Sequence, residues 1–108
     1  MTRLYLIPST LPEYTNAAAR LEAAGFEVVT APPEPDTAPE WGAWARYALA
    51  LLLTADGVVL PRGSGGSRGN GLLCRLAHDL AIPVLTLRGW LTRAGQDAYM
   101  ARLTGGRP

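Results

Sequence analysis

Pro61-Arg62-Gly63-Ser64-Gly65-Gly66-Ser67-Arg68-Gly69-Asn70-Gly71 is the stretch whose residue types suit chemistry most clearly. Glycines let a backbone approach an anion and turn its N–H groups toward it. The apolar helical pattern that follows would add free N–H groups and a positive dipole end. Ser67 supplies a hydroxyl, and Arg62 or Arg68 a charge, so the chemistry is phosphate binding. The stretch lacks the Gly-Lys-Ser/Thr of a Walker loop, and it does not follow the first strand as a dinucleotide fingerprint does. A plain surface loop has the same composition.

Other reactive side chains are sparse. His78 is the single histidine and Cys74 the single cysteine, so neither a metal site nor a disulfide is expected. His78 reads as a surface residue. Cys74 reads as a small apolar filler, although a helix start lowers a thiol pKa. Asp56 precedes a strand and reads as a turn or cap. Glu13, Asp36 and Glu40 are carboxylates near the expected carboxyl ends of strands, and solvated acids are the ordinary reading of all three. Tyr5 and Tyr14 are candidates for a pocket or for the core. Trp41 and Trp44, at helical spacing, suit an interface or a core cover rather than base stacking.

The elements that would position these residues follow from periodicity and punctuation. Leu4–Ile7 reads as a first strand, stopped by Pro8. A helix follows to about Ala24, capped by Ser9 or Thr10, with Pro12 in its first turn and Gly25 after its end. Phe26–Thr30 reads as strand two. Residues 31–39 hold four prolines and read as an extended loop. A largely apolar helix is expected from Pro39 or Glu40 to about Ala55, buried on more than one side. Val58–Leu60 is strand three, Asn70–Leu80 helix three, Ile82–Leu87 strand four and Leu91–Leu103 a last helix.

Short apolar strands alternating with helices mean parallel strands covered on both faces. The expected fold is α/β: a three-layer, doubly wound, Rossmann- or flavodoxin-like sheet of four parallel strands, order 2-1-3-4. Ligands bind such sheets at the carboxyl ends where the order reverses, here between strands one and three. The pocket would draw on Tyr5, Ser9, Thr10, Pro61 and Arg62. One domain over residues 1–104, with a flexible tail at 105–108, fits a chain of 108 residues.

Hydrophobic residues make up 48% and charged residues 18%, which suits a globular chain. The net charge of +1 argues against nucleic acid or a membrane surface as partner. All ten basic residues are arginine, which a GC-rich coding bias explains, though arginine also suits planar anions. The absence of an apolar leader makes a cytoplasmic protein the expectation. No cofactor is called for.

Several segments, in order, resemble the nucleoside 2-deoxyribosyltransferase-like superfamily, above all its small bacterial and phage domains. They are Leu4-Tyr5-Leu6-Ile7-Pro8, Leu11-Pro12-Glu13-Tyr14 and Asn16-Ala17-Ala18-Ala19-Arg20-Leu21, then Ala23-Ala24-Gly25-Phe26-Glu27-Val28-Val29. Leu49 to Thr54, Ala55-Asp56-Gly57-Val58-Val59-Leu60-Pro61, Ser67-Arg68-Gly69 and Leu80-Ala81-Ile82-Pro83-Val84 complete them. The resemblance implies cleavage or exchange of a nucleoside or nucleotide N-glycosidic bond, and frequent homodimers. It also implies that Ser67-Arg68-Gly69-Asn70-Gly71 matches a Ser-x-Gly-x-Gly turn holding a 5′-phosphate. Two residues on, the superfamily's glutamate nucleophile is replaced by Leu73. An aspartate often found before strand three is replaced by Ala48, and the turn after strand one is short. Leucine cannot attack an anomeric carbon. The expectation is therefore a nucleotide-binding domain without glycosidic catalysis. The alternatives are an active glycosidase or transferase using a displaced acid, with Glu13 and Glu40 as weak candidates, and a structural or partner-binding homo-oligomer with a vestigial site.

Overall fold

The computed structural model describes residues 2–7, 11–60 and 67–92. Four strands, β1 (Arg3–Leu6), β2 (Glu27–Val29), β3 (Gly57–Leu60) and β4 (Val84–Thr86), form one parallel sheet of order β2-β1-β3-β4. They alternate with α1 (Leu11–Ala23), α2 (Ala38–Thr54), α3 (Arg68–Asp79) and α4 (Leu87–Leu91). The architecture and strand order are those expected from the sequence.

Alternation along the strands divides the interior into two cores, because successive side chains leave a strand on opposite faces. Tyr5, Ile7 and Val58 pack with Trp44, Ala48 and Leu52 of α2 and with Leu73 and Ala77 of α3. Leu4, Leu6 and Val59 pack on the other face with Ala17 and Leu21 of α1 and with Trp90 of α4. Each fully buried large side chain is worth about 1.5–3 kcal/mol, so both faces contribute.

Register is pinned at the amino ends of the central strands. The Asp56 carboxylate accepts from the Arg3 amide at 2.8 Å, and the Asp56 amide donates back to the Arg3 carbonyl at 2.7 Å. Asp56 is thus a clamp between β1 and β3. The Arg3 guanidinium also pairs with Glu27 on β2.

Gly57 shows why one strand position must lack a side chain. A Cβ there would fall inside contact distance of the Trp90 ring, which is wholly buried. The Trp90 indole also donates to the Val58 carbonyl at 2.8 Å. Trp90 therefore docks the five-residue α4 on β3, a helix too short to hold itself together.

Of the three helices that lead back into the sheet, α1 and α3 close in the same manner, while α2 ends on an extended Ala55. After α1, Gly25 takes a positive φ of 96°, and the Phe26 amide returns to the Leu21 carbonyl. After α3, Ala81 takes that role at φ 58°, with the Ile82 amide on the Ala77 carbonyl. This is the Schellman closure, made once with glycine and once with alanine.

The boundaries depart from expectation at α3, which starts at Arg68 rather than Asn70, and most of all at β4 and α4. The fourth strand ends at Thr86 rather than Leu87, because the Thr86 hydroxyl accepts from the Gly89 amide at 3.1 Å and starts α4 there. The last helix, expected over Leu91–Leu103, is instead the short α4 that ends at Leu91; residues 93–103 of that expectation and the 105–108 tail lie outside the described residues. In α2 the buried stripe is Trp44, Ala45, Ala48 and Leu52, while Tyr47 and Leu53 are exposed, so within this chain one side is covered. Among the described residues no helix is long and apolar enough to cross a membrane.

Candidate functional site: an anion at the start of α3

Ser67 is the N-cap of α3, in extended conformation, and its hydroxyl oxygen accepts from the Asn70 amide at 3.0 Å. The first turn of a helix leaves N–H groups without partners inside the helix. Here they are met by an anion, and the anion is Glu34. Its Oε1 accepts from the Ser67 hydroxyl at 2.9 Å, and its Oε2 accepts from the Gly69 amide at 3.1 Å. The Trp41 indole donates to the same Oε2 at 2.8 Å. A carboxylate thus rests where a phosphate was expected from the sequence, with one of its two oxygens on each turn donor.

Local sequence explains how Glu34 arrives. Residues that precede a proline are held extended, and Pro32, Pro33 and Pro35 surround Glu34. The loop is anchored where the Trp44 indole donates to the Pro32 carbonyl at 2.7 Å. Trp41 and Trp44 lie with ring centroids 6.1 Å apart on the first turns of α2. The Arg68 guanidinium stacks on the Trp41 ring, 3.7 Å from its centroid, a cation–π contact on an exposed surface. Gly69 is required by closeness alone: a Cβ would collide with the Trp44 ring and with Glu34.

The expected phosphate residues therefore divide. Ser67 and Gly69 hold the carboxylate, and Asn70 uses its amide on the cap. The Gly71 amide continues the helix to the Ser67 carbonyl at 3.0 Å. Arg68 faces Trp41. Of the expected pocket residues, Ser9, Thr10, Pro61 and Arg62 lie outside the described residues. Tyr5 belongs to the core and is fully buried. Its phenol oxygen has no hydrogen-bond partner among the described residues, and burial pushes its pKa up to about 12, with the Ala31 main chain opposing in part.

Leu73 and Ala48 are both buried in the same cluster as Tyr5. Fold geometry thus brings the two positions together and fills them with apolar side chains. The other acids stand elsewhere: Asp36 and Glu40 are exposed on the proline loop and the first turn of α2. Glu13 lines a cavity of about 930 Å³ between α1 and α4, with Arg20, Leu60 and Arg88 among its walls. His78 is exposed. Cys74 is half-buried, and burial raises its thiol pKa rather than lowering it. Among the described residues no three metal-ligating side chains gather.

Glu34 and Trp41 are the site residues that sequence reasoning missed. The signal was present as an acid set between prolines, seven residues before a tryptophan. Comparison of the chain with protein-family models, with curated proteins and with solved structures finds no match.

Proposed function

We propose that this chain is a binding domain for a small phosphate-monoester ligand, with a nucleoside 5′-monophosphate as the first instance, and that it performs no glycosidic chemistry. The observation that carries the reading is the bidentate seat of the Glu34 carboxylate on the Ser67 hydroxyl and the Gly69 amide. Donors that converge on one planar anion are preorganised for another, and the α3 dipole favours negative charge there. The ligand phosphate replaces the Glu34 carboxylate, and Arg68 swings from Trp41 to meet it. The superfamily resemblance belongs to this proposal, as does a cytoplasmic setting. Apolar Leu73 and Ala48 support binding without turnover, because neither can serve as nucleophile or acid.

Calorimetry with adenosine, guanosine, cytidine and uridine 5′-monophosphates, and with inorganic phosphate, tests it on the parent chain and on Glu34→Ala. Binding that tightens about tenfold in Glu34→Ala is expected, since removing a resident charged hydrogen-bond partner frees its donors. Absence of heat from both proteins removes the reading. Release of free base from any of these nucleotides would instead restore a glycosidase.

A second reading has its own observation. Glu34 already satisfies Ser67 and Gly69, so it also serves as a permanent cap in a structural domain. In that case the exposed Tyr47 and Leu53 of α2 face another copy of the chain. Sedimentation that gives a dimer, together with silent calorimetry, favours it.

A further inference from the structure

We infer that the cavity between α1 and α4 is a second ligand site, for a small organic anion carried on an apolar body. It lies on the opposite face of the sheet from the α2 and α3 core, beside the carboxyl end of β3. The inference stands apart from the Glu34 seat and does not depend on it.

Three observations carry it. First, the cavity measures about 930 Å³, within the range of small-molecule sites. Second, two cationic side chains reach it from different elements, Arg20 from α1 and Arg88 from α4. Among the described residues neither guanidinium has a carboxylate partner. Two like charges on one cavity repel each other across it, and an anion between them removes that cost. Third, Ala17, Leu87 and Leu91, which belong to the core on this face, give the lining an apolar part beside the polar Asn16, Thr86 and Thr92. The apolar part takes rings or a short chain, while the guanidiniums take a carboxylate, sulfonate or phosphate ester.

Glu13 sets a further condition. It stands seven residues before Arg20 on the same helix, about 10 Å away at the helical rise. A ligand that spans the cavity therefore carries its anionic group toward the arginines and no second negative charge toward Glu13. Among the described lining residues two arginines stand against one glutamate, so an anion is the matched ligand.

The probe is 8-anilinonaphthalene-1-sulfonate, a monoanion on an aromatic body, followed by its fluorescence with the full chain. The neutral analogue N-phenyl-1-naphthylamine serves as control. Saturable binding of the sulfonate at one site is expected, and about tenfold weaker binding of the neutral compound, as loss of a charge-assisted contact implies. The Arg20→Gln/Arg88→Gln variant is expected to lose about tenfold in sulfonate affinity and nothing for the neutral probe. Both arginines are exposed, so circular dichroism of the double variant is expected to match the parent. Equal affinity for the two probes, unchanged affinity in the double variant, or no saturable binding of the sulfonate overturns the inference.

Discussion

Glu34 is a single side chain on which three donors from two helices converge. Its removal leaves a helix start without its charged cap, which costs about 1–2 kcal/mol at sites of this kind. Glu34→Ala is therefore expected to melt several degrees below the parent in a thermal scan, and an unchanged melting temperature contradicts the capping role. Tyr5 poses the opposite case. Its hydroxyl is buried without a partner among the described residues, so Tyr5→Phe is expected to leave stability unchanged or slightly raised. The phenol also sets an alkaline limit. Its ordinary pKa is 10, and burial lifts it to about 12 in the fold. The unfolded chain thus loses its proton first. Stability tied to Tyr5 is complete below pH 10 and declines as pH rises through 12. Melting temperatures of parent and Tyr5→Phe measured between pH 9 and pH 12 are expected to converge at the lower end and separate at the upper. Parallel curves would contradict the assignment.

Elements here are fixed by a few close approaches as well as by propensity. α4 is docked by Trp90 against Gly57, and each residue requires the other. Gly57→Ala forces the indole out of its seat and is expected to destabilise by about 2 kcal/mol or more, as overpacked cores do. Denaturant midpoints measure this, and a loss of only a few tenths would mean that α4 shifts freely. The same pair shows where sequence reading stopped. Strands and the three long helices were legible because apolar runs and caps repeat at recognisable spacing, and the observed bounds of α1 and α2 fall close to those expected. α4 was not legible: its start depends on a threonine that is both the last strand residue and a cap, and on a tertiary pocket for one indole. The α3 start was legible as an anion seat from Ser67 and Gly69. Its occupant was not, because pairing residue 34 with residue 67 is a long-range contact that no local pattern encodes.

At the scale of the molecule, one sheet carries two separate cores. Tyr5 and Val58 serve one, while their strand neighbours Leu4 and Val59 serve the other. Neither core survives loss of the shared strands, so both faces are expected to unfold together. Tryptophans report each face independently: Trp41 and Trp44 lie with α2, and Trp90 with α4. Fluorescence of Trp41→Phe/Trp44→Phe, which retains only Trp90, is expected to follow the same urea transition as its far-ultraviolet circular dichroism. Trp90→Phe is expected to show the same agreement between its own two signals. Separated transitions within either protein would mean that the faces are independent units. The overall order 2-1-3-4 was open to sequence reasoning because four short apolar strands between helices leave few alternatives. The division of polar contacts between the two faces was not, since it depends on which loop residues reach across.

The proline-held carboxylate has a kinetic and thermodynamic sequel. A tethered group competes from within the chain, at an effective concentration that short linkers bring to about the millimolar range. Any outside anion is therefore measured against an incumbent that never diffuses away, and its apparent affinity is scaled by the fraction of time the seat stands vacant. Dilute acetate or chloride, with no more donors to gain than Glu34 has, stays excluded. Under the proposed function, a dianion with further contacts of its own displaces it, and the tether then acts as a threshold that screens weak anions from strong ones.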